Sequence, residues 1–110
     1  MKKPFLYILL SLAATDRYGS AIAEDIRALS EGKTRLWPAT LYGSLEKLVQ
    51  EGQIRELADN EQPSGGAGRG RERFYQITPE GRRALAAEVD SMEHVARLAR
   101  ARMVRVGGNA

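Results

Sequence analysis

Residues 37–58, WPATLYGSLEKLVQEGQIRELA, decide the fold when read with the segment that returns after them, RERFYQIT at 71–78. Pro38 suits the first position of a helix, where its missing N–H is not needed. Leu41, Leu45 and Leu48 recur at helical spacing. Gly52 stands where glycine ends a helix, just past its C-terminus. The next residues alternate in part, with Ile54 and Leu57 directed to the core. Residues 59–70 are rich in Gly, Pro, Ser and Asn and read as a mobile hairpin tip. The run GGAGRGRER at 65–73 makes that tip basic. Phe74, Tyr75 and Ile77 then form a returning strand. Helix, strand, basic loop, strand is the layout of a winged helix, an architecture that commonly holds duplex DNA.

Working outward, residues 4–14 read as a first helix begun by Pro4, with Phe5, Leu6, Leu9, Leu12 and Ala13 on one face. This apolar run follows Met1-Lys2-Lys3 and resembles a short secretory leader, but it is shorter than leaders of about 15–30 residues. It is also too short to span a bilayer, which takes about 20 residues. A buried first helix is the reading that serves the rest of the domain. Residues 16–19 break that helix, and a second runs over residues 20–29 with Ile22, Ile26 and Leu29 as its stripe. Thr78-Pro79-Glu80 opens a last helix, with a capping hydroxyl, proline at the first position and an acid at the positive end. Its apolar positions, Leu85, Val89, Met92, Ala96, Ala99, Met103 and Val106, are separated by alternating steps of four and three. That is a heptad seam. It predicts a helix that packs on helix one and pairs with a second copy of the chain. The expected organisation is therefore α+β and mainly α. Residues 1–78 form a winged helix-turn-helix with a two-stranded wing, 79–106 a C-terminal dimerisation helix, and 107–110 a disordered tail.

The chain has 110 residues, one histidine, no cysteine and a formal net charge of +3. Disulfides, thiolate chemistry and cysteine-based metal sites are excluded, and His94 alone makes no multi-histidine site. No nucleophile–base set, phosphate-binding loop or dinucleotide fingerprint is present, so an enzyme, a cofactor and a metal are not expected. The positive balance favours a polyanion. Thr40, Gly43, Ser44 and Lys47 are expected opposite the leucine stripe, a small and polar face suited to the major groove. Arg69, Arg71 and Arg73 alternate along the wing, placed for phosphate or a narrow minor groove. Tyr18 and Tyr42 each have two readings, a hydroxyl on phosphate or a ring in the core. Trp37 reads as a core plug, a dimer contact or the wall of a ligand pocket, and a core or interface place is favoured. A competing function is a winged-helix protein-interaction module without specific DNA binding.

Three motifs carry a family resemblance. They are Tyr18-Gly19, the run from Thr40 to Leu48 closed by Glu51-Gly52, and the run from Arg73 to Gly81. With these in order, the chain resembles the short PadR-type transcriptional regulators, which have a single C-terminal helix. The resemblance implies a cytoplasmic homodimer, nucleoid-associated when bound, that represses from a two-fold operator on double-stranded DNA. It implies DNA contacts from Tyr18, Thr40, Tyr42, Gly43, Ser44, Lys47 and the wing arginines. It also implies a small-molecule effector at the dimer interface. Members that take flat aromatic compounds carry a tryptophan in the last helix, whereas this last helix has no aromatic residue.

Overall fold

The computed structural model describes residues 1–62 and 72–109, with side chains of the last helix described as far as 104. Its elements are α1 (Lys3–Ala14), β1 (Arg17–Tyr18), α2 (Gly19–Leu29), α3 (Pro38–Gln50), β2 (Ile54–Glu56), a 3-10 turn (Asp59–Glu61), β3 (Phe74–Ile77) and α4 (Pro79–Asn109). The sheet is antiparallel with order β1-β3-β2. The two wing strands pair as the sequence predicts, Ile54 opposite Ile77 and Glu56 opposite Tyr75. The third strand is an addition. Residues 16–19 read as a break, yet Arg17 and Tyr18 pair with Tyr75 and Phe74. Two residues carry no periodicity, so only the tertiary partner makes them a strand.

Three helices and the sheet close over one core. Ile8, Leu9 and Leu12 of α1, Ile22 and Ile26 of α2, and Leu41, Leu45 and Leu48 of α3 meet Ile54, Tyr75 and Ile77. A smaller cluster at the wing root joins Tyr18, Leu57 and Phe74, with the Tyr18 and Phe74 ring centroids 4.6 Å apart. The apolar N-terminal run is thus a core helix. Leu29 departs from its expected stripe and is half exposed at the end of α2. Trp37 is not a core plug: 61% of it is exposed.

The junction with α4 is tightly specified. The Thr78 hydroxyl donates to the Gly52 carbonyl oxygen at 2.6 Å and accepts from the Gly81 N–H at 3.1 Å. The Thr78 N–H donates to the Gln53 carbonyl oxygen at 3.0 Å. Gly52 makes the turn at φ +74°, and the Gln53 N–H closes the end of α3 on Leu48 O at 3.0 Å. Gly81 lies so close to this turn that a Cβ would collide with the Gln53 carbonyl oxygen and sit 2.8 Å from Ile77 Cγ1. Leu85 packs on the core beside it. Beyond Leu85 the seam leaves the domain: Val89, Met92, Ala96, Ala99 and Met103 are all exposed, as are Val95 and Leu98 beside it. The helix continues to Asn109, so residues expected as a tail are helical up to that point. The Val106 side chain lies outside those described.

Gly81→Ala is therefore expected to destabilise the fold by about 1–3 kcal/mol, the usual cost of an overpacked site. Gly43→Ala, on an open helix face with nothing within 4 Å of the added carbon, is expected to stabilise it by up to about 1 kcal/mol. Urea midpoints of the two variants moving in the same direction would contradict the close contact at Gly81.

Candidate nucleic-acid interface

Helix α3 buries Leu41, Leu45 and Leu48 and turns Thr40, Gly43 and Lys47 outward. Ser44 does not join that outer face. It lies three residues after Leu41 and four before Leu48, which places it on their side of the helix, and it is 8% exposed. The outer face is also less free of acid than its sequence suggests. Glu46 is exposed there, and Lys47 Nζ lies 3.7 Å from Glu51 Oε1.

The two tyrosines separate. Tyr42 is 45% exposed and leans over the start of α2. A Cβ at Gly19 would stand 3.1 Å from both Tyr42 Cε1 and its hydroxyl oxygen, so glycine makes room for this ring. Tyr18 is buried at 8% against Phe74, and its place is the wing root. Between α3 and the sheet, Tyr42, Glu46, Val49, Glu56, Arg73 and Tyr75 line a cleft of about 160 Å³. Burial pushes the Tyr75 hydroxyl above the ordinary phenol value, with the Arg73 guanidinium beside it pulling the other way. Arg73 itself is exposed and lies 3.6 Å from Glu56.

Arg69 and Arg71 lie outside the described residues. The wing root on either side of them is well defined. Glu72 reads in the sequence as an acid diluting the basic patch, but its carboxylate accepts from the Ser20 N–H at 2.8 Å. There it meets the positive end of α2. The Gly19 N–H donates to the Arg73 carbonyl oxygen at 3.2 Å, fixing the same corner. On the other strand, Arg55 grips Glu61 with two hydrogen bonds of 2.8 and 3.2 Å. Arg55 Nε also donates to Gln76 Oε1 at 2.9 Å, and Gln76 Nε2 donates to Asp16 Oδ2 at 3.2 Å. Glu61 further accepts from the Ala58 N–H at 2.9 Å. This chain of contacts across β2 and β3 escaped the sequence reading, which took residues 59–70 as uniformly loose. Its signal was the alternation that sets Arg55 beside Gln76 once the strands are paired.

Among the described residues there is no cluster of His, Asp or Glu suited to a metal ion. No helix there is long and apolar enough to cross a membrane.

Comparison with known proteins agrees with this geometry. The model of the transcriptional regulator PadR-like family matches residues 8–87. A PadR family transcription regulator from Clostridium difficile R20291 is similar at 27% identity and TM-score 0.71, over 88% of this chain and 94% of that one. A transcriptional regulator from Clostridium thermocellum is similar at 24% identity and TM-score 0.71, over 88% and 86% of the two chains. RosR from H. salinarum shares the fold at 22% identity and TM-score 0.66, over 84% and 74%. No curated protein matches the chain.

The Arg55 hydrogen bonds, then the Ala58 N–H, hold the Glu61 carboxyl below its ordinary value of 4.5. A carboxylate depressed on folding stabilises the wing root above the ordinary value and loses that contribution as pH falls through its lower, folded value. Acidification below about pH 4 is thus expected to loosen the Arg55–Glu61 pair while the core stays closed. The amide resonance of Ala58 should titrate with Glu61, and Glu61→Gln should flatten that profile. Titration of Glu61 at the ordinary value or above would refute the pairing in solution.

Proposed function

The chain belongs to the PadR-like family of transcriptional regulators, and from that premise we propose that it is a homodimeric, sequence-specific DNA-binding repressor acting in the cytoplasm. The observation that carries the reading is the form of α4. It is 31 residues long, and past Leu85 its large apolar side chains are left exposed among the described residues. Val89 is 38% exposed, Met92 50% and Met103 65%. Exposed apolar side chains in a continuous seam mark an interaction surface, and the four–three spacing suits a helix of the same kind. A second copy on that seam sets two α3 helices about a two-fold axis.

In this reading Thr40, Gly43 and Lys47 enter the major groove. Gly43 lets the backbone of α3 come close to the bases, and Lys47 exchanges Glu51 for phosphate. Arg73, with Arg69 and Arg71 beyond it, holds the backbone alongside. Tyr42 reaches phosphate from the edge of α3. Tyr18 and Ser44 support the site from inside: one anchors the wing to α2, the other seats α3 on the core.

Selection of bound duplexes from a random pool tests the proposal. Recovered sites are expected to be palindromic, with half-sites spaced by whole turns of about 10–10.5 base pairs. Met92→Glu is expected to give a monomer in light scattering and to remove cooperative binding of both half-sites. Lys47→Ala is expected to lower the slope of log affinity against log salt by about one. An unselective pool, with Met92→Glu still dimeric, would favour the protein-interaction module instead.

A further inference from the structure

The loop that leads into α3 carries a feature the reading above leaves unused. Trp37 is the N-cap residue of α3, with φ −70° and ψ 153°, and its side chain makes no capping hydrogen bond. Ser, Thr, Asp or Asn at that position would bind the free N–H groups of the first turn. Tryptophan leaves them open and weakens the start of the helix on which recognition depends. It also leaves an indole 61% exposed, the only tryptophan in the chain. The missing cap is shared with α1 and α2, so it is the exposed indole that sets this position apart.

The surroundings say what the indole meets. The Arg35 guanidinium lies 4.5 Å from the centroid of the Trp37 ring. A guanidinium at this distance over an indole is attracted by the ring face, which favours its keeping that place. Among the described residues no carboxylate pairs with Arg35 or with Lys33, both exposed in the same loop. Trp37, Pro38, Leu36 and Arg35 wall a groove of about 310 Å³, closed from α2 by Ala23, Glu24 and Arg27. One turn further along α3 is Thr40, exposed and on the same side of the helix.

From this geometry we infer that Arg35 and Trp37 form a clamp on the sugar–phosphate backbone of duplex DNA at the entry to α3. The guanidinium meets phosphate. The indole face lies on the deoxyribose edge, and its N–H, a donor only, points to a phosphate oxygen. The inference rests on the DNA-binding reading and adds a contact that neither the outer face of α3 nor the wing supplies.

Because Trp37 is the sole tryptophan, tryptophan emission reports on this position alone. The full chain is titrated with a duplex recovered from the random pool and with a scrambled duplex of the same length. Anisotropy of a labelled duplex reports binding independently. Trp37 emission is expected to change with the same midpoint as anisotropy. Trp37→Ser, which restores a capping side chain, is expected to melt no lower than wild type and yet to bind DNA about tenfold more weakly. Arg35→Ala is expected to lower the salt slope by about one. Rising anisotropy with unchanged emission, or full affinity in Trp37→Ser, overturns the clamp while leaving DNA binding intact. Emission that depends on protein concentration without DNA also overturns it, placing the indole between copies of the chain. Flat anisotropy with every duplex removes the DNA-binding reading and the clamp together.

Discussion

The hydroxyl of Thr78 joins the two halves of this molecule. It donates to Gly52 at the end of α3 and accepts from Gly81 at the start of α4. A single side chain thus ties the turn that follows α3 to the start of α4. Around it, Gly52 supplies the left-handed turn and Gly81 the missing Cβ that lets α4 approach the Gln53 carbonyl. A side chain at Gly52 strains the left-handed backbone, and one at Gly81 forces the Gln53 turn to shift. The direction in which α4 leaves the domain is consequently tied to the end of α3. In a dimer held by α4, that tie sets the distance and angle between the two α3 helices, and so the spacing of half-sites.

Much of this was legible in the sequence because it rests on local periodicity. The leucine stripe of α3, the glycine at its end and the Thr-Pro-Glu start of α4 all carry their signals within a few residues. What failed to show depends on partners distant in sequence. β1 exists only because Arg17 and Tyr18 find Tyr75 and Phe74. Glu72 looks like an acid spoiling a basic tip until the fold brings it to Ser20, 52 residues away. Ser44 differs for another reason. Its polar chemistry suggests the outer face, whereas its spacing from Leu41 and Leu48 puts it on the buried side. Of the places open to Trp37, the core plug fails, because the residue precedes the helix and is largely exposed.

Buried side chains are not all well served. Ser11 of α1 is fully buried, and among the described residues its hydroxyl has no protein hydrogen-bond partner. Its main-chain carbonyl oxygen does have one, accepting from Arg17 Nε at 3.3 Å. The residue gives the fold small volume where α1 packs on its neighbours. Its contribution is size, and alanine meets that need as well.

The charge arrangement bears on how such a domain can hold DNA and still release it. Two of the described basic groups on the proposed DNA-facing surface are not bare: Lys47 lies by Glu51 and Arg73 by Glu56. Each partner is substantially exposed, at 60% and 47% for the first pair and 65% and 45% for the second. Exposed pairs of this kind contribute about 0–1 kcal/mol, so giving up a carboxylate for a phosphate costs little. The carboxylates stay nearby, however, and repel phosphate wherever the exchange is incomplete. A backbone that seats every cation gains all the exchanges at once, whereas one that fits poorly meets Glu46, Glu51 and Glu56 with part of their charge uncovered. Acids placed among the cations thus weaken loose encounters more than close-fitting ones, which is how a basic surface can discriminate among duplexes that all carry the same phosphates.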